Sequence, residues 1–404
     1  MTELKLRIEK YRPNALIFIE GNRNNNNFYI LKSGQVVTTR IHDTGDESQV
    51  VLNAGDPFGV VSCIANRPRI ETAKTLTAVE VISVERDQVI PLIQNNTTVA
   101  MKILRWFSRK LRDFDAAITR MALKKPVVED IDKMKDIGDY YFTKKKYRLA
   151  FYCYSRFLKE KPDTEMLDQV RAKLQQIEQS IPGGVGFRQV DNFTRVYSDK
   201  SMLFCEHERG DEVFIVQNGR VQISKIVGDK ELLLAVLGQG DVIGEMAILD
   251  NKPRNASAIA FGDTTVLVMN KENFFFMVQN NPQIVHKILA LLSERIWVAY
   301  RQFENLAIKD DYKRIMDAFM IQLEKQKINL EENKEFNLGL SPVDLLRLIG
   351  INEEKEDQFV DKILADKNFN LLDNTIIVKD LQEFAKGVES IRKFQLNIEQ
   401  HADK

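Results

Sequence analysis

Short apolar runs separated by single glycines dominate two stretches of the chain. In the first stretch Phe28–Leu31 and Val36–Val37 flank a glycine, and in the second Val213–Val216 and Val221–Ile223 do the same. Apolar runs of this length, interrupted by turn residues, are typical of antiparallel strands joined by tight turns. The pattern therefore predicts two units rich in β-structure.

The two stretches are copies of each other at a shift of 185 residues, with no insertion between the matched positions. The matched residues are Gly34 with Gly219, Gly55-Asp56 with Gly240-Asp241, Gly59 with Gly244, and Pro68-Arg69 with Pro253-Arg254. A fixed long period of this kind indicates a duplicated unit.

Each copy ends in a long helical pattern whose apolar positions alternate at spacings of four and three residues. The stripes are Ile103, Phe107, Leu111, Phe114, Ile118 and Met121 in the first copy and Ile288, Leu292, Ile296, Ala299, Phe303 and Leu306 in the second. Such a seam suits helix-against-helix packing, although ordinary core packing gives the same stripe. Two equivalent seams favour pairing of the two helices within one chain as a pseudo-twofold dimer. The competing arrangement is a homodimer through the second helix alone.

Composition and charge describe a globular protein without a global field. The 404 residues are 44% hydrophobic and 29% charged, with 58 basic and 58 acidic side chains, so any attraction to nucleic acid would need a local patch. No apolar stretch is long enough for a signal peptide or a membrane span, which leads us to expect a cytoplasmic protein without membrane contact. Cys63, Cys153 and Cys205 lie far apart and predict neither a disulfide framework nor a metal site.

The segment from Gly240 to Leu249, followed by Pro253 to Ala258, carries the candidate chemistry. It resembles the phosphate-binding cassette of cyclic nucleotide-binding domains in the catabolite activator protein (CRP/FNR) superfamily, in which a short helix interrupts an eight-stranded β-roll. The resemblance implies that Glu245 accepts a hydrogen bond from the ribose 2′-hydroxyl and that Arg254 pairs with the cyclic phosphate. A planar guanidinium suits a phosphodiester because it offers two parallel donors. The alternative is a ligand-free roll in which Glu245 and Arg254 pair with each other.

The same resemblance assigns a wider set of ligand-binding residues. It comprises Gly244, Glu245, Met246, Ala247, Arg254, Asn255, Ala256 and Ser257 of the cassette, with Arg295 and Tyr300 of the following helix. Arg295 is expected to reach back to Glu245, and Tyr300 either stacks on a purine or simply packs. The expected ligand is a cyclic nucleotide, cAMP first, with cGMP and cyclic dinucleotides as alternatives, and no metal is implied.

The first copy departs from the cassette at one position. It keeps Arg69 and Thr72 but has Val60 where the glutamate is expected. Losing a charged hydrogen-bond partner costs about 1.5–3 kcal/mol, so we expect this site to be degenerate and structural. The asparagine run 24–27 reads as a solvated turn.

Residues 309–390 resemble a winged helix-turn-helix. Ser341-Pro342 predicts a helix start, Gly350–Asn352 a turn, Glu353–Asp366 a recognition helix and Asn374–Val378 a wing strand. Seven acidic and four basic side chains between residues 336 and 370 make this surface negative, which opposes contact with DNA phosphates.

Residues 131–164 resemble a single tetratricopeptide repeat, and an ordinary helical hairpin fits the sequence equally well. The matching residues are Ile137, Gly138, Tyr141, Ala150, Tyr154 and Pro162. One repeat cannot bury its own apolar face, so it must pack on a neighbouring domain or on a following helix at 166–177.

Together these patterns predict an α+β multidomain protein. Its expected parts are a first cyclic nucleotide-binding-like roll at 1–126, a tetratricopeptide-like helical segment at 127–182, a second roll at 187–308 and a winged-helix domain at 309–404, each roll ending in a long helix. The favoured function is a cyclic nucleotide sensor that signals through protein contacts made by the helical segment or the C-terminal domain. A DNA-binding transcriptional regulator of the same superfamily is the alternative, with DNA binding doubtful. No catalytic motif is present, so we expect no enzyme activity.

Overall fold

The computed structural model describes residues 4–40, 48–123, 130–163, 165–181, 186–331, 334–351 and 356–388. Its first part is a roll of two antiparallel four-stranded sheets with strand orders β1-β8-β3-β6 and β2-β7-β4-β5. The strands are β1 (Arg7–Tyr11), β2 (Leu16–Phe18), β3 (Asn27–Ser33), β4 (Val36–Arg40), β5 (Ser48–Leu52), β6 (Pro57–Phe58), β7 (Thr72–Thr75) and β8 (Val79–Glu85). Helix α1 (Val60–Ala65) interrupts the roll, and a 3-10 turn (Arg86–Gln88), α2 (Val89–Asn95) and α3 (Thr97–Leu123) follow it.

The second roll repeats this plan with longer, continuous strands. Its sheet runs β13-β12-β15-β10-β9, with β11 paired to β15 and β14 paired to β12. The elements are β9 (Arg188–Gln189), β10 (Thr194–Tyr197), β11 (Met202–Phe204), β12 (Glu212–Val227), β13 (Lys230–Leu237), β14 (Val242–Ile243) and β15 (Ser257–Asn270). Three helices belong to it, α7 (Glu245–Asp250), α8 (Lys271–Asn280) and α9 (Pro282–Ala307).

A shared backbone feature shows why glycine recurs at the matched positions. Gly34 and Gly219 have φ values of 84° and 82°, which L side chains rarely adopt. A Cβ atom at Gly34 would also overlap the carbonyl oxygen of Ala78, and one at Gly219 would overlap that of Asp263. The duplication is therefore conserved between the two halves down to individual turn conformations.

The two long helices pack against each other within the chain, so the predicted intramolecular pairing is confirmed. Their seams are buried, with Phe107 and Ile296 both 0% exposed. The ring of Phe114 meets the edges of Tyr300 and Phe303 at centroid distances of 6.4 Å. The helix pair and the interior of the second roll form one continuous apolar core, which holds the two halves together.

Three helices lie between the rolls, α4 (Lys133–Thr143), α5 (Tyr147–Glu160) and α6 (Leu167–Glu178). Gly138 lets α4 approach α5, because a Cβ atom there would lie 2.6 Å from the Tyr154 ring. The apolar faces of α4 and α5 pack on α6 and also on Met202, Cys205 and Ile259 of the second roll. This agrees with the expectation that a single repeat must pack on a following helix or a neighbouring domain. Whether the segment is a tetratricopeptide repeat stays a prediction.

The fold places two cysteines together that are distant in sequence. The Sγ atoms of Cys153 and Cys205 are 3.4 Å apart, both thiols are free, and both side chains are fully buried. Burial raises the pKa of the Cys205 thiol well above its ordinary value. The pair lies where α5 meets the second roll.

The C-terminal part forms a separate small core around α10 (Asp311–Lys325). Its other elements are β16 (Phe336–Asn337), α11 (Pro342–Leu348), α12 (Glu356–Ala365), β17 (Phe369–Leu372) and β18 (Thr375–Val378), with sheet order β16-β18-β17 and residues 381–388 helical. The predicted helix start is confirmed, since the Ser341 hydroxyl accepts a hydrogen bond from the Asp344 N–H at 3.1 Å. Residues 352–355, where the recognition helix was predicted to begin, lie outside the described residues.

Among the described residues, none of the helices combines the length and the apolar character that a bilayer crossing requires.

Candidate functional site

The backbone of the second roll turns sharply to bring the cassette residues inside. Gly244 has φ of 84° and precedes α7, a single short helix that is followed by Asn251, also in the left-handed conformation. A Cβ atom at Gly244 would overlap the Arg254 guanidinium. Glycine at this position therefore allows the arginine to lie directly against the backbone.

Glu245 begins α7 and is completely buried. Its Oε1 atom accepts a hydrogen bond from Arg295 Nη1 at 2.8 Å, and Arg295 also donates to the carbonyl oxygen of Val242 at 3.1 Å. The Oε2 atom of Glu245 has no hydrogen-bond partner among the described residues. The structure thus joins Arg295 to Glu245, as the resemblance implied, and leaves one carboxylate oxygen available.

Arg254 is 4% exposed and contacts only neutral acceptors. Nη1 donates to the Gly244 carbonyl oxygen at 2.7 Å, Nη2 donates to that of Glu212 at 2.9 Å, and Nε has no partner in the described chain. The guanidinium lies over the Phe204 ring at 4.3 Å, and burial lowers its pKa. The alternative pairing of Glu245 with Arg254 is wrong, because Glu245 pairs with Arg295 instead.

The far end of the cassette is reached by a residue from the other half of the molecule. Asn255 Nδ2 donates to Asp115 Oδ2 at 2.6 Å, and Asp115 belongs to α3. Burial raises the pKa of Asp115 to about 6, although Lys225, Arg295 and Arg112 oppose that shift. Asp115 was not among the residues predicted from the sequence, although the 185-residue shift superposes it on Tyr300 and is the signal that points to it.

The structure corrects the predicted place of Tyr300. Its hydroxyl lies within hydrogen-bond distance of two carboxylate oxygens, that of Glu20 in the first roll at 2.8 Å and that of Glu304 at 2.6 Å, so the residue faces the first half of the molecule. The pseudo-twofold arrangement explains this outcome, because each long helix presents this position to the opposite roll. Asp115 consequently takes the place in the second roll that the sequence analysis gave to Tyr300.

Ser257 is also misassigned. It is the first residue of β15, its neighbours Ala256 and Ala258 belong to the core shared with the long helices, and Ser257 points the other way. Its hydroxyl accepts from the Glu206 N–H at 3.0 Å and lies 4.0 Å from Cys205 Sγ, at the face covered by α5. The alternation of side chains along a strand produces this result. Met246, Ala247 and Ala256 are buried apolar residues of the cassette.

The first roll contains a rearranged version of the same centre. Val60 is fully buried at the glutamate position, and the ion pair has moved to Glu71 and Lys110, whose Oε2 and Nζ atoms are 3.3 Å apart. Burial opposes ionisation of Glu71, but the charges of Lys110 and Arg40 hold its pKa below the ordinary value. Lys110 is the counterpart of Arg295 at the 185-residue shift. In the first roll this cation pairs with Glu71, whereas in the second roll its counterpart pairs with Glu245.

Arg69 in the first roll also has a full set of partners. Its Nε, Nη1 and Nη2 atoms donate to the carbonyl oxygens of Asn24, Gly59 and Asn27 at 3.2, 3.0 and 2.8 Å. The asparagine run does lie in a solvated loop between β2 and β3, where Asn24 and Asn26 are exposed, but it is more than a turn, since its carbonyl groups bind the arginine. The Thr72 hydroxyl accepts from the Glu20 N–H at 3.0 Å and joins β7 to the segment that follows β2.

No group of three or more potential metal ligands is assembled anywhere in the described part of the chain.

Comparison with known proteins agrees with this geometry. The model of the cyclic nucleotide-binding domain family matches residues 8–96 and 194–281. The cyclic AMP receptor protein of Thermus thermophilus is 26% identical over 48% of this chain and 88% of its own length. A CRP-like cAMP-activated global transcriptional regulator of Mycobacterium tuberculosis is 27% identical over 41% of this chain and 72% of its own.

Solved structures with similar domains have low overall superposition scores. The c-di-GMP responsive global regulator CLP of Xanthomonas campestris is 22% identical, with a TM-score of 0.38 over 46% of this chain and 93% of its own. The regulatory domain of Toxoplasma gondii PKA with cAMP is 18% identical, with a TM-score of 0.21 over 68% and 83%.

The chain thus contains two cyclic nucleotide-binding domains in tandem.

Proposed function

We propose that this protein is a cyclic nucleotide sensor with one competent site, in the second roll. The Glu245 carboxylate accepts a hydrogen bond from the ribose 2′-hydroxyl, and Arg254 binds the cyclic phosphate. cAMP is the first candidate because the names of the relatives from Thermus thermophilus and Mycobacterium tuberculosis refer to it. cGMP and cyclic dinucleotides are the alternatives. We expect the ligand to be bound and released unchanged.

The observation that carries this proposal is the unsatisfied polar chemistry of the cassette. Arg254 is a buried cation that forms no ion pair within 4.0 Å among the described residues, and both its Nε atom and Glu245 Oε2 lack partners. Buried polar atoms without partners are costly, and charged ones more so. A ligand with an anionic phosphate and a neighbouring hydroxyl satisfies the guanidinium and the carboxylate at once.

The first roll supports a single site per chain. There Val60 offers no hydrogen-bond acceptor, Glu71 holds the cation equivalent to Arg295, and the three nitrogens of the Arg69 guanidinium are all engaged. Nucleotide binding would have to break these internal contacts without regaining the glutamate. The first roll accordingly serves as a structural partner for the second.

Protein contacts are the favoured output because the helical segment touches the loop next to Arg254. The Tyr152 hydroxyl in α5 donates to the Leu203 carbonyl oxygen at 3.0 Å and lies 3.4 Å from Glu208 Oε1. The backbone N–H of Arg254 in turn donates to the Glu208 carbonyl oxygen at 2.9 Å. A movement of Arg254 would therefore reach α5 through two successive contacts, first with Glu208 and then with Tyr152.

Direct transcriptional regulation is the second candidate, and the names of the relatives favour it. The C-terminal elements also follow one another in an order that suits a winged helix, with α11 and α12 before the β17–β18 hairpin. The acidic composition of residues 336–370 opposes it. A gel shift against genomic fragments, with and without nucleotide, distinguishes the two outputs.

Calorimetric titration with cAMP, cGMP and cyclic dinucleotides tests the site itself. We expect one nucleotide per chain, and Arg254→Ala should weaken binding by about ten- to a hundredfold because a charge-assisted contact is worth about 1.5–3 kcal/mol. Arg69→Ala is the matched control, since it removes the equivalent arginine of the first roll and should leave the affinity unchanged. Two nucleotides per chain, or normal binding by Arg254→Ala, would refute the assignment.

Incubation of the saturated protein followed by chromatography of the nucleotide tests the absence of turnover. Recovery of a linear product in proportion to protein concentration would contradict it.

A further inference from the structure

A basic cleft lies where the second roll meets helix α3 of the first half, on the outer side of the cassette. It has a volume of about 530 Å³ and opens where α7, α3 and α8 meet. Four cationic side chains line it, together with the apolar residues Ile248, Leu249 and Phe275; the cations are Arg105, Arg109, Lys252 and Lys271.

These cations have few internal partners. Arg105, Arg109 and Lys252 are exposed, and their side chains form no hydrogen bond or ion pair within the described chain, whereas the Lys271 side chain contacts only that of Asn251, at 3.2 Å. The acid in the cleft, Asp250, is already held by the Ser108 hydroxyl at 2.7 Å and by Arg112 at 3.1 Å.

The remaining charges around the cleft do not neutralise it. Asp250 keeps a second buried oxygen without a partner, and the exposed Asp113 is close enough to Lys252 for the two charges to interact. Counting Asp250 against the four cations leaves a net positive lining on a chain whose total charge is zero.

The equivalent face of the first half is covered by a helix of the same chain. The 185-residue shift superposes Lys252 on Arg67 and Arg109 on Glu294. In the first half Arg67 Nε pairs with Glu294 at 3.2 Å, and Arg67 Nη2 donates to the carbonyl oxygen of Glu324 at 2.7 Å. Glu324 lies in α10, so the C-terminal end of a helix is seated on this face.

The second half lacks both elements of that arrangement. Arg109 replaces the carboxylate of Glu294, and the chain has no second helix equivalent to α10 among its described residues to cover the face. The cleft is therefore the counterpart of a surface on which a helix docks. It differs in charge, because Arg109 stands where the first half has the Glu294 carboxylate.

We propose that this cleft docks an acidic helical segment of a partner protein. Helix C-terminal carbonyl groups and carboxylates both suit the cations, as the Glu324 carbonyl group suits Arg67 in the first half. The apolar floor formed by Ile248, Leu249 and Phe275 suits a peptide better than a bare phosphate chain. This surface is separate from the nucleotide site, and its assignment does not depend on ligand binding.

Fluorescence anisotropy with the full chain tests the proposal. The probe is a labelled helical peptide of repeated Glu-Ala-Ala-Glu units, and the same peptide with glutamine for glutamate is its uncharged counterpart. We expect the acidic peptide to bind, with an affinity that falls as salt rises, and the glutamine peptide to bind weakly. Arg109→Glu should lower the affinity about tenfold or more, because it places beside Lys252 the carboxylate that Glu294 provides in the first half.

A matched control comes from the same helix. Arg120 is exposed on α3 outside the cleft, and Arg120→Glu changes the total charge equally, so it should leave peptide binding unchanged. Lys252→Gln is a second cleft variant, expected to weaken binding, and circular dichroism checks that all variants are folded. Equal weakening by Arg109→Glu and Arg120→Glu would overturn the proposal. Failure of the acidic peptide to bind would also overturn it. The same holds if tripolyphosphate or duplex DNA binds more tightly than the peptide and Arg109→Glu abolishes that binding.

Discussion

Lys110 and Glu71 form a buried ion pair in the first roll, with side chains 10% and 4% exposed. Removing one partner of such a pair leaves an uncompensated buried charge, which costs about 3–5 kcal/mol. We expect Glu71→Ala to destabilise the protein by that amount in urea unfolding.

Glu80→Ala is the control for that experiment, because Glu80 pairs with Lys10 and Lys32 at the surface and should contribute little. Equal effects of the two substitutions would show that the buried pair has no special role in the first roll.

Asp115 provides a pH dependence with a definite sign. Burial raises its pKa from 3.8 to about 6 in the folded protein, so the folded state holds a proton that the unfolded state has lost between these values. Stability should therefore fall as pH rises from about 4 to 6, by at most roughly 3 kcal/mol from this group. Asp115→Asn should remove the loss, raising the thermal midpoint at pH 8 and changing it little near pH 4. A gain of the same size at both pH values would contradict this account.

The residues of the site differ in how far sequence could predict them. Glu245, Arg254 and Arg295 lie within one roll and its own helix, so the resemblance to cyclic nucleotide-binding domains was enough to bring them into one assignment. Asp115 and Tyr300 depend on how the two long helices cross, which no local pattern specifies. Ser257 was misplaced for a simpler reason, because a motif match does not say which face of a strand a side chain occupies.

At the scale of elements, Phe114 is the aromatic centre of the contact between α3 and α9. It is 2% exposed and packs against two rings of the opposite helix, Tyr300 and Phe303. Replacing a buried phenylalanine by alanine typically costs 3–5 kcal/mol. We expect Phe114→Ala to lower the thermal midpoint clearly, as measured by calorimetry.

Phe276→Ala is the matched control, since that ring is 68% exposed and should contribute little. If the two variants melt together, the helix pair is not a principal contributor to stability.

The elements were predictable where they depend on local periodicity. The alternating spacing of four and three residues identified both long helices, and the Ser341 cap identified the start of α11. The role of the loop at 24–27 was not predictable in this way. Its polar composition indicates exposure to solvent, but it does not show that the backbone carbonyl groups of the loop bind the Arg69 guanidinium. The boundaries between the four segments stay predictions.

At the scale of the whole molecule, both long helices belong to one chain, and we expect a monomer. Light scattering should give the chain mass of 46.6 kDa. Leu111→Cys combined with Ile296→Cys should crosslink within a chain under dilute oxidising conditions, because these residues lie in the matched seams. Crosslinks found only between chains, together with twice the chain mass, would show that the helices pair between copies.

Covalent connection of the two halves removes mass action from their association. In a protein that pairs two separate copies, the folded pair becomes scarcer on dilution and the thermal midpoint depends on protein concentration. Here α3 meets α9 at a fixed effective concentration set by the segment between them, so the pair is as complete in a cell with few copies as in one with many. With a single competent site, the response to ligand should follow a simple hyperbola with a Hill coefficient near one. A twofold symmetric assembly has two sites and can respond cooperatively, whereas this chain should respond in a graded way.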